Sequence, residues 1–218
     1  MNKGRLLPIG ILGITLLLAA LPIRAASYKA RPWSVNERGS YPANLTSEGV
    51  TIAVEPLFTD ALAARVFDKP DMVTRGIMPL AVIIFNDNDF PIEVDGLSIE
   101  LIRERTPVRT MSPNEAVYRL FRKDSTWIAK AAIPRIPRSE LNEAALDDFD
   151  AKFLLEKTVG PHEKAGGFLY LHIDSNDLVS YLSASVVYIP NVYRRDTGAR
   201  MIFFEIGLEA AIPAGARR

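Results

Sequence analysis

The sequence predicts a mainly β protein, an antiparallel β-sandwich interrupted by a helical insertion at about residues 106–149. Three observations carry that expectation. Short runs of alternating apolar residues recur along the chain, with Gly, Pro, Asn and Asp clusters between them. No regular helices separate most of these runs, which argues against a parallel βαβ sheet. A 25-residue leader leaves 193 of the 218 residues, enough to bury a core in one domain without disulfides.

The leader is read from charge and hydropathy. Lys3 and Arg5 precede an apolar run from Leu6 to Ile23, and small residues follow at Ala25, Ala26 and Ser27. These are the three parts of a secretory signal peptide, with the cut after Ala25 and Ile23 at the −3 position. A retained membrane anchor is the competing reading. A spanning helix needs about 20 apolar residues. This run has 18 and is interrupted by Pro8, Gly10, Gly13 and Pro22. In both readings the chain beyond residue 25 is extracytoplasmic, either periplasmic or secreted, and membrane contact is made only through an uncleaved leader. The chain has no Cys. Lipid attachment at a lipobox, disulfides, thiolate catalysis and Cys-ligated zinc are therefore excluded. The cut removes Lys3, Arg5 and Arg24 from a chain with 26 bases and 26 acids, leaving a net charge of −3. Without a basic excess, a nucleic-acid partner is not expected.

Ala26 to Glu48 is polar and broken by Pro32, Gly39 and Pro42. It reads as an extended arm or linker that Trp33 and Tyr41 can pin to the core. Asn44-Leu45-Thr46 matches a glycosylation sequon, relevant only in a eukaryotic secretory path. Val50 to Leu57 is the first expected strand, with Val50, Ile52 and Val54 alternating against Thr51, Ala53 and Glu55. Thr59 to Phe67 is a short helix with Leu62, Val66 and Phe67 on one side, ended by Asp68-Lys69-Pro70-Asp71. Met78 to Phe85 is apolar and β-branched throughout, the signature of a central strand buried on both faces. Asn86 to Asp89 is a turn. Ile92 to Ile102 alternates again, and Gly96 suggests a bulge.

The insertion begins after Thr106. Ser112-Pro113-Asn114-Glu115 is a capping box with Pro at the first helical position. It predicts a helix through Arg122 with Ala116, Val117, Leu120 and Phe121 buried. Ile133 to Arg138 is extended by its prolines. Ser139 is expected to cap a second helix, with Leu141, Ala144, Ala145 and Phe149 apolar. Strands return at Lys152–Thr158 and Phe168–Ile173. Ser183–Pro190 and Ala199–Ala210 are expected to form a hairpin around Asp196-Thr197-Gly198. Residues 49–212 form the single domain, and 213–218 a flexible tail.

The chemistry-bearing residues are few. His162 and His172 stand ten apart and match no short zinc spacing. They read as a turn histidine and a strand-surface histidine. Asn86-Asp87-Asn88-Asp89 is oxygen-rich but lacks the Gly and Glu of an EF-hand loop, so it reads as a turn. Asp147, Asp148 and Asp150 read as a solvated acidic face, and Lys130, Arg135 and Arg138 can pair with it or dock an acidic partner. G-x-S-x-G, S-x-x-K, Walker and dinucleotide-binding patterns are absent from the sequence. No catalytic residue, metal ligand or cofactor is assigned. The candidate interface residues are Tyr118, Phe121, Trp127, Arg135 and Arg138, residue types that anchor protein contacts.

Leu80-Ala81-Val82-Ile83-Ile84-Phe85-Asn86-Asp87-Asn88-Asp89-Phe90-Pro91-Ile92-Glu93-Val94-Asp95-Gly96-Leu97 resembles the core of water-stress, late-embryogenesis-abundant domains. There an apolar strand runs into Asn-Pro-Asn, an apolar residue, Pro and a second strand. Here Asp87 replaces the central Pro. Related bacterial immunoglobulin-like domains share the pattern. The resemblance implies an antiparallel immunoglobulin-like β-sandwich without an active site. The leading functional expectation is an exported, non-enzymatic binding or structural module of the cell envelope with an envelope protein as partner. Two alternatives stay open: a hydrolase or metal-dependent enzyme built from distant loops, and a lipid- or small-ligand-binding sandwich.

Overall fold

The computed structural model describes residues 28–122, 136 and 141–216. The leader, Trp127, Lys130, the proline-rich connector with Arg135 and Arg138, and Ser139 lie outside them. Among the described residues the fold is mainly antiparallel β, with thirteen strands in three sheets. The strands are β1 (Asn44–Ser47), β2 (Val50–Pro56), β3 (Ile77–Asn86), β4 (Ile92–Asp95), β5 (Glu100–Arg103), β6 (Thr106–Val108) and β7 (Thr110–Met111). After the insertion come β8 (Glu156–Val159), β9 (Lys164–His172), β10 (Ser185–Ile189), β11 (Val192–Arg194), β12 (Ala199–Arg200) and β13 (Phe204–Gly207). The helices are α1 (Asp60–Ala63), α2 (Pro113–Phe121), α3 (Glu143–Lys152) and α4 (Leu178–Ser183). None is long and apolar enough to cross a membrane.

One layer is the five-stranded sheet β1-β2-β3-β9-β7. The facing layer consists of two four-stranded sheets, β13-β10-β5-β6 and β12-β11-β4-β8. These two are halves of one set of interrupted strands. The stretch β4–β5 runs antiparallel to β10–β11, with Val94 opposite Val192 and Leu101 opposite Val187. It breaks at Gly96 on one side and at Pro190 on the other.

The break at Gly96 corrects the expected bulge. Gly96–Ser98 is a turn of 3-10 helix, because Asp95 Oδ1 accepts from the Leu97 N–H at 2.9 Å and Ser98 Oγ donates to Asp95 O at 2.8 Å. Gly96 also donates to Leu155 O at 2.7 Å. A Cβ there would lie 2.1 Å from Leu154 O, so only Gly allows this approach. The hairpin expected around residue 197 is likewise two nested hairpins. β11–β12 closes around 195–198, and β10–β13 pairs in the neighbouring sheet.

Alternation in β3 explains why it is buried throughout. Met78, Leu80, Val82 and Ile84 face the core between the layers, joined by Ile52, Leu101, Leu169, Val187 and Phe204. Ile77, Ala81, Ile83 and Phe85 face a second core on the outer side, with Phe168 and Tyr170 of β9. α2, α3 and the N-terminal arm cover that outer core. α2 and α3 of the insertion therefore form a third layer over the central sheet. The insertion is also not purely helical, since β6 and β7 open it.

Other boundaries shift for local reasons. The arm ends in a strand, β1, instead of remaining extended to Glu48. The helix expected over 59–67 is only Asp60–Ala63, N-capped by Thr59 and followed by turns. The second insertion helix is capped by Asn142, whose Oδ1 accepts from Ala145 N–H at 3.1 Å, and it runs on through Lys152. The strand expected from Lys152 therefore begins at Glu156. β9 starts earlier than expected, at Lys164, because Gly166 and Gly167 lie within it. Ser175–Asp177 leads into α4, a helix the sequence reading lacks.

Candidate interaction surface on the helical layer

α2 is built as its sequence dictates. Ser112 Oγ accepts from the Glu115 N–H at 3.3 Å, and Pro113 holds the first turn. Ala116, Val117 and Leu120 are buried, and Phe121 is half-buried. The Glu115 carboxylate does not complete a reciprocal box. Arg109 holds it bidentately at 2.8 and 2.7 Å, and Arg119 Nε donates to it at 2.9 Å. Burial raises the Glu115 pKa, but the two arginines outweigh it and hold the carboxyl below its ordinary range. His172, at the end of β9, adjoins the same group.

The opposite face of α2 presents Asn114, Tyr118 and Arg122, all half-buried. The Arg122 guanidinium stacks 5.3 Å from the Tyr118 ring centroid, and its Nη1 donates to Tyr118 Oη at 2.8 Å. Phe121 meets Tyr28 edge-on at 5.8 Å, with Lys69 Nζ 5.3 Å from its ring. Of the expected interface residues, Tyr118 stands on this outward face, while Phe121 packs against Tyr28 at the outer core. Trp127, Arg135 and Arg138 lie outside the described residues.

The acidic cluster of α3 differs from its sequence reading. Asp147 and Asp150 are exposed, but Asp148 is buried. It shares a helix face with Ala145 and Phe149, and Lys152 one turn on pairs with it at 2.5 Å. Lys152 Nζ also donates to Val66 O at 3.1 Å. Tyr28 Oη donates to Asp148 Oδ2 at 2.5 Å, and burial followed by this bond pushes the phenol pKa well up. This carboxylate is therefore a structural post that ties the arm to the helical layer. Lys29 N–H and Arg31 add bonds to Asp68 at 3.0 and 2.7 Å, and Arg31 also donates to Ala64 O. Trp33 packs on Phe168 at 4.6 Å over Gly166.

The two histidines stand at opposite ends of β9. His162 occupies the third position of a turn behind Pro161, with φ 56°, and its Nε2 lies 2.8 Å from Asp89 Oδ1. The intervening strand spans about 27 Å at its usual rise. The Asn86–Asp89 loop is a pinned turn. Asn86 Nδ2 donates to Phe90 O at 2.8 Å and Gly160 O at 2.9 Å, and its Oδ1 accepts from Asn88 N–H at 3.1 Å. Asp87 pairs outward with Arg38 at 2.6 Å, away from Asp89. No cluster of three potential metal-ligating side chains occurs among the described residues.

Sequence reasoning missed the Arg109–Glu115–Arg119–His172 group. Arg119 stands four residues after Glu115, a legible helical spacing. Arg109 and His172 join only through strand register, which no short-range pattern carries.

No protein-family model matches the chain, and no curated protein matches it. Among solved structures it is similar to the yjhA protein from Bacillus subtilis, at 11% identity over 69% of this chain and 80% of that one, with a TM-score of 0.37. It is also similar to a candidate lipoprotein (ycdA) from Bacillus subtilis subsp. subtilis strain 168, at 10% identity and a TM-score of 0.37. That match covers 77% of this chain but 39% of the other, so this chain spans well under half of its length.

Proposed function

We propose that this chain is an exported, non-enzymatic binding or structural module of a cell envelope that holds a protein partner through the outer face of α2. The charged, apolar and small segments of the leader support export. The observation that carries the reading is the stacked Tyr118–Arg122 pair. It stands half-exposed on a helix whose other face is core. Tyr and Arg dominate interface energies, and a pair already held in place loses less freedom on binding. The surface extends in sequence toward Trp127, Arg135 and Arg138. The likeness of residues 80–97 to water-stress domains is proposed in the same sense, as a shared strand–turn–strand without transfer of a protective role.

A photo-crosslinking residue at position 114, beside Tyr118 and Arg122 on the same face, tests this in the full chain in its native envelope. Position 200, on the exposed β12, serves as the control. The expected result is a discrete protein adduct from 114 that Arg122→Ala weakens and that 200 does not give. Tyr118→Ala lowers capture while leaving the melting temperature unchanged. No adduct from 114, or a loss explained by unfolding, removes the reading.

A further inference from the structure

Among the described residues each sheet has two edges, and five of the six edge strands carry a device that blocks pairing with another chain. β7 and β12 are two residues long. β6 contains Pro107, β8 contains Glu156 and Lys157, and β13 contains Glu205. β1 has none of these. Its sequence Asn44-Leu45-Thr46-Ser47 has no charge and no proline, and Asn44, Leu45 and Thr46 are exposed.

The open groups of β1 follow from its register. Val54 N–H donates to Ala43 O at 2.9 Å, and the two-residue turn Glu48-Gly49 sets Ser47 opposite Val50. Hydrogen-bonded and non-hydrogen-bonded pairs alternate in an antiparallel ladder. Leu45 and Ser47 therefore bond toward β2, while the backbone N–H and C=O of Asn44 and Thr46 point outward. No bond beyond that ladder meets them among the described residues.

We infer that β1 is a self-pairing edge, where two copies of this chain join antiparallel about a twofold axis and continue one five-stranded sheet into the other. The arrangement is self-complementary at Leu45. Asn44 of each copy exchanges hydrogen bonds with Thr46 of the other. Leu45 then faces Leu45 of the second copy in a non-hydrogen-bonded pair, where Cβ atoms approach to about 4.5–5.5 Å. That contact covers a leucine otherwise 42% exposed. Glu48 meets Pro42 of the second copy, so no like charges oppose. An isologous contact of this kind closes on itself instead of propagating. The inference does not rest on the reading of α2, which lies on the far side of the central strands.

Sedimentation equilibrium of the mature chain over a concentration series tests it, with amide hydrogen exchange on the same samples. The expected result is a monomer–dimer equilibrium in which protection at Asn44 and Thr46 rises with concentration. Leu45→Lys sets two like charges face to face and is expected to weaken association by about tenfold or more. Thr46→Pro removes the outward N–H, together with the Thr46–Thr51 hydroxyl hydrogen bond on the β2 side, and is expected to do the same. A single monomeric species at all concentrations overturns the inference. So does a dimer that neither variant weakens, or one without added protection at Asn44 and Thr46. The exchange measurement on the unmodified chain decides the matter even where a variant misfolds.

Discussion

Protonating His172 is unfavourable in this fold. Its Nε2 is buried with no hydrogen-bond partner among the described residues. The charged groups around it are Arg109 before β7, Glu115 and Arg119 on α2, and Asp174 beyond its own strand. Burial lowers its pKa first, and the Arg119 and Arg109 charges lower it further against the opposing carboxylates. Above the ordinary histidine value of about 6.5, the ring is neutral in both the folded and the unfolded chain, and its contribution is fully present. As pH falls below that value, the unfolded chain takes a proton that the folded chain refuses. Stability is therefore lost, and the loss levels off below the lowered folded pKa. Denaturant midpoints at pH 7.5 and 5.5 are expected to drop more for the parent chain than for His172→Gln. Equal drops would place the pH dependence in other groups.

At the scale of elements, legibility followed burial. β3 was readable because both its faces are apolar, and α2 because Ser112, Pro113 and Glu115 announce its start. β1 was not readable. An exposed edge strand has no buried face to impose a period, so Asn-Leu-Thr-Ser looks like loop. α4 has six residues, too few to show a helical stripe. The division of Ile92–Arg103 between two sheets depends on how Gly96 meets Leu154 and Leu155, residues far away in the chain. The β5–β6 hairpin adds a feature invisible to hydropathy. Arg103 pairs with Thr106 across a two-residue turn, and Glu104 and Arg105 have φ of 50° and 67°. Such turns favour Asn-Gly, because ordinary side chains crowd the backbone there. Replacing Glu104 by Asn and Arg105 by Gly is expected to stabilise the chain by about 1 kcal/mol. The Arg103–Glu104 ion pair lost in the exchange is exposed and contributes little. A melting temperature that falls in the double variant would mean that those side chains hold contacts worth more than the strain.

The whole molecule is three layers closed by its own N-terminal arm, and the arm decides whether the outer layer is independent of it. A linker would leave the fold indifferent to residues 28–33. Here Tyr28 is 5% exposed, meets the Phe121 and Phe149 rings at 5.8 and 6.4 Å, and gives Asp148 its second hydrogen bond. Tyr28 stands three residues beyond the expected cut after Ala25, so a mature chain starting at Ala26 keeps every one of these contacts. Tyr28→Ala removes a buried ring and leaves an Asp148 oxygen without its donor. Together these are expected to cost about 3 kcal/mol. In a chain of this size that lowers the melting temperature by about 6–12 °C. Tyr28→Phe keeps the ring and loses only the hydroxyl, so its expected cost is about 1–2 kcal/mol. The ratio separates packing from hydrogen bonding. A Phe variant as damaged as the Ala variant would put the stabilisation in the Asp148–Lys152 pair that the hydroxyl completes. An Ala variant that melts with the parent would make the arm a passive tether, and the outer core would then be closed by α2 and α3 alone.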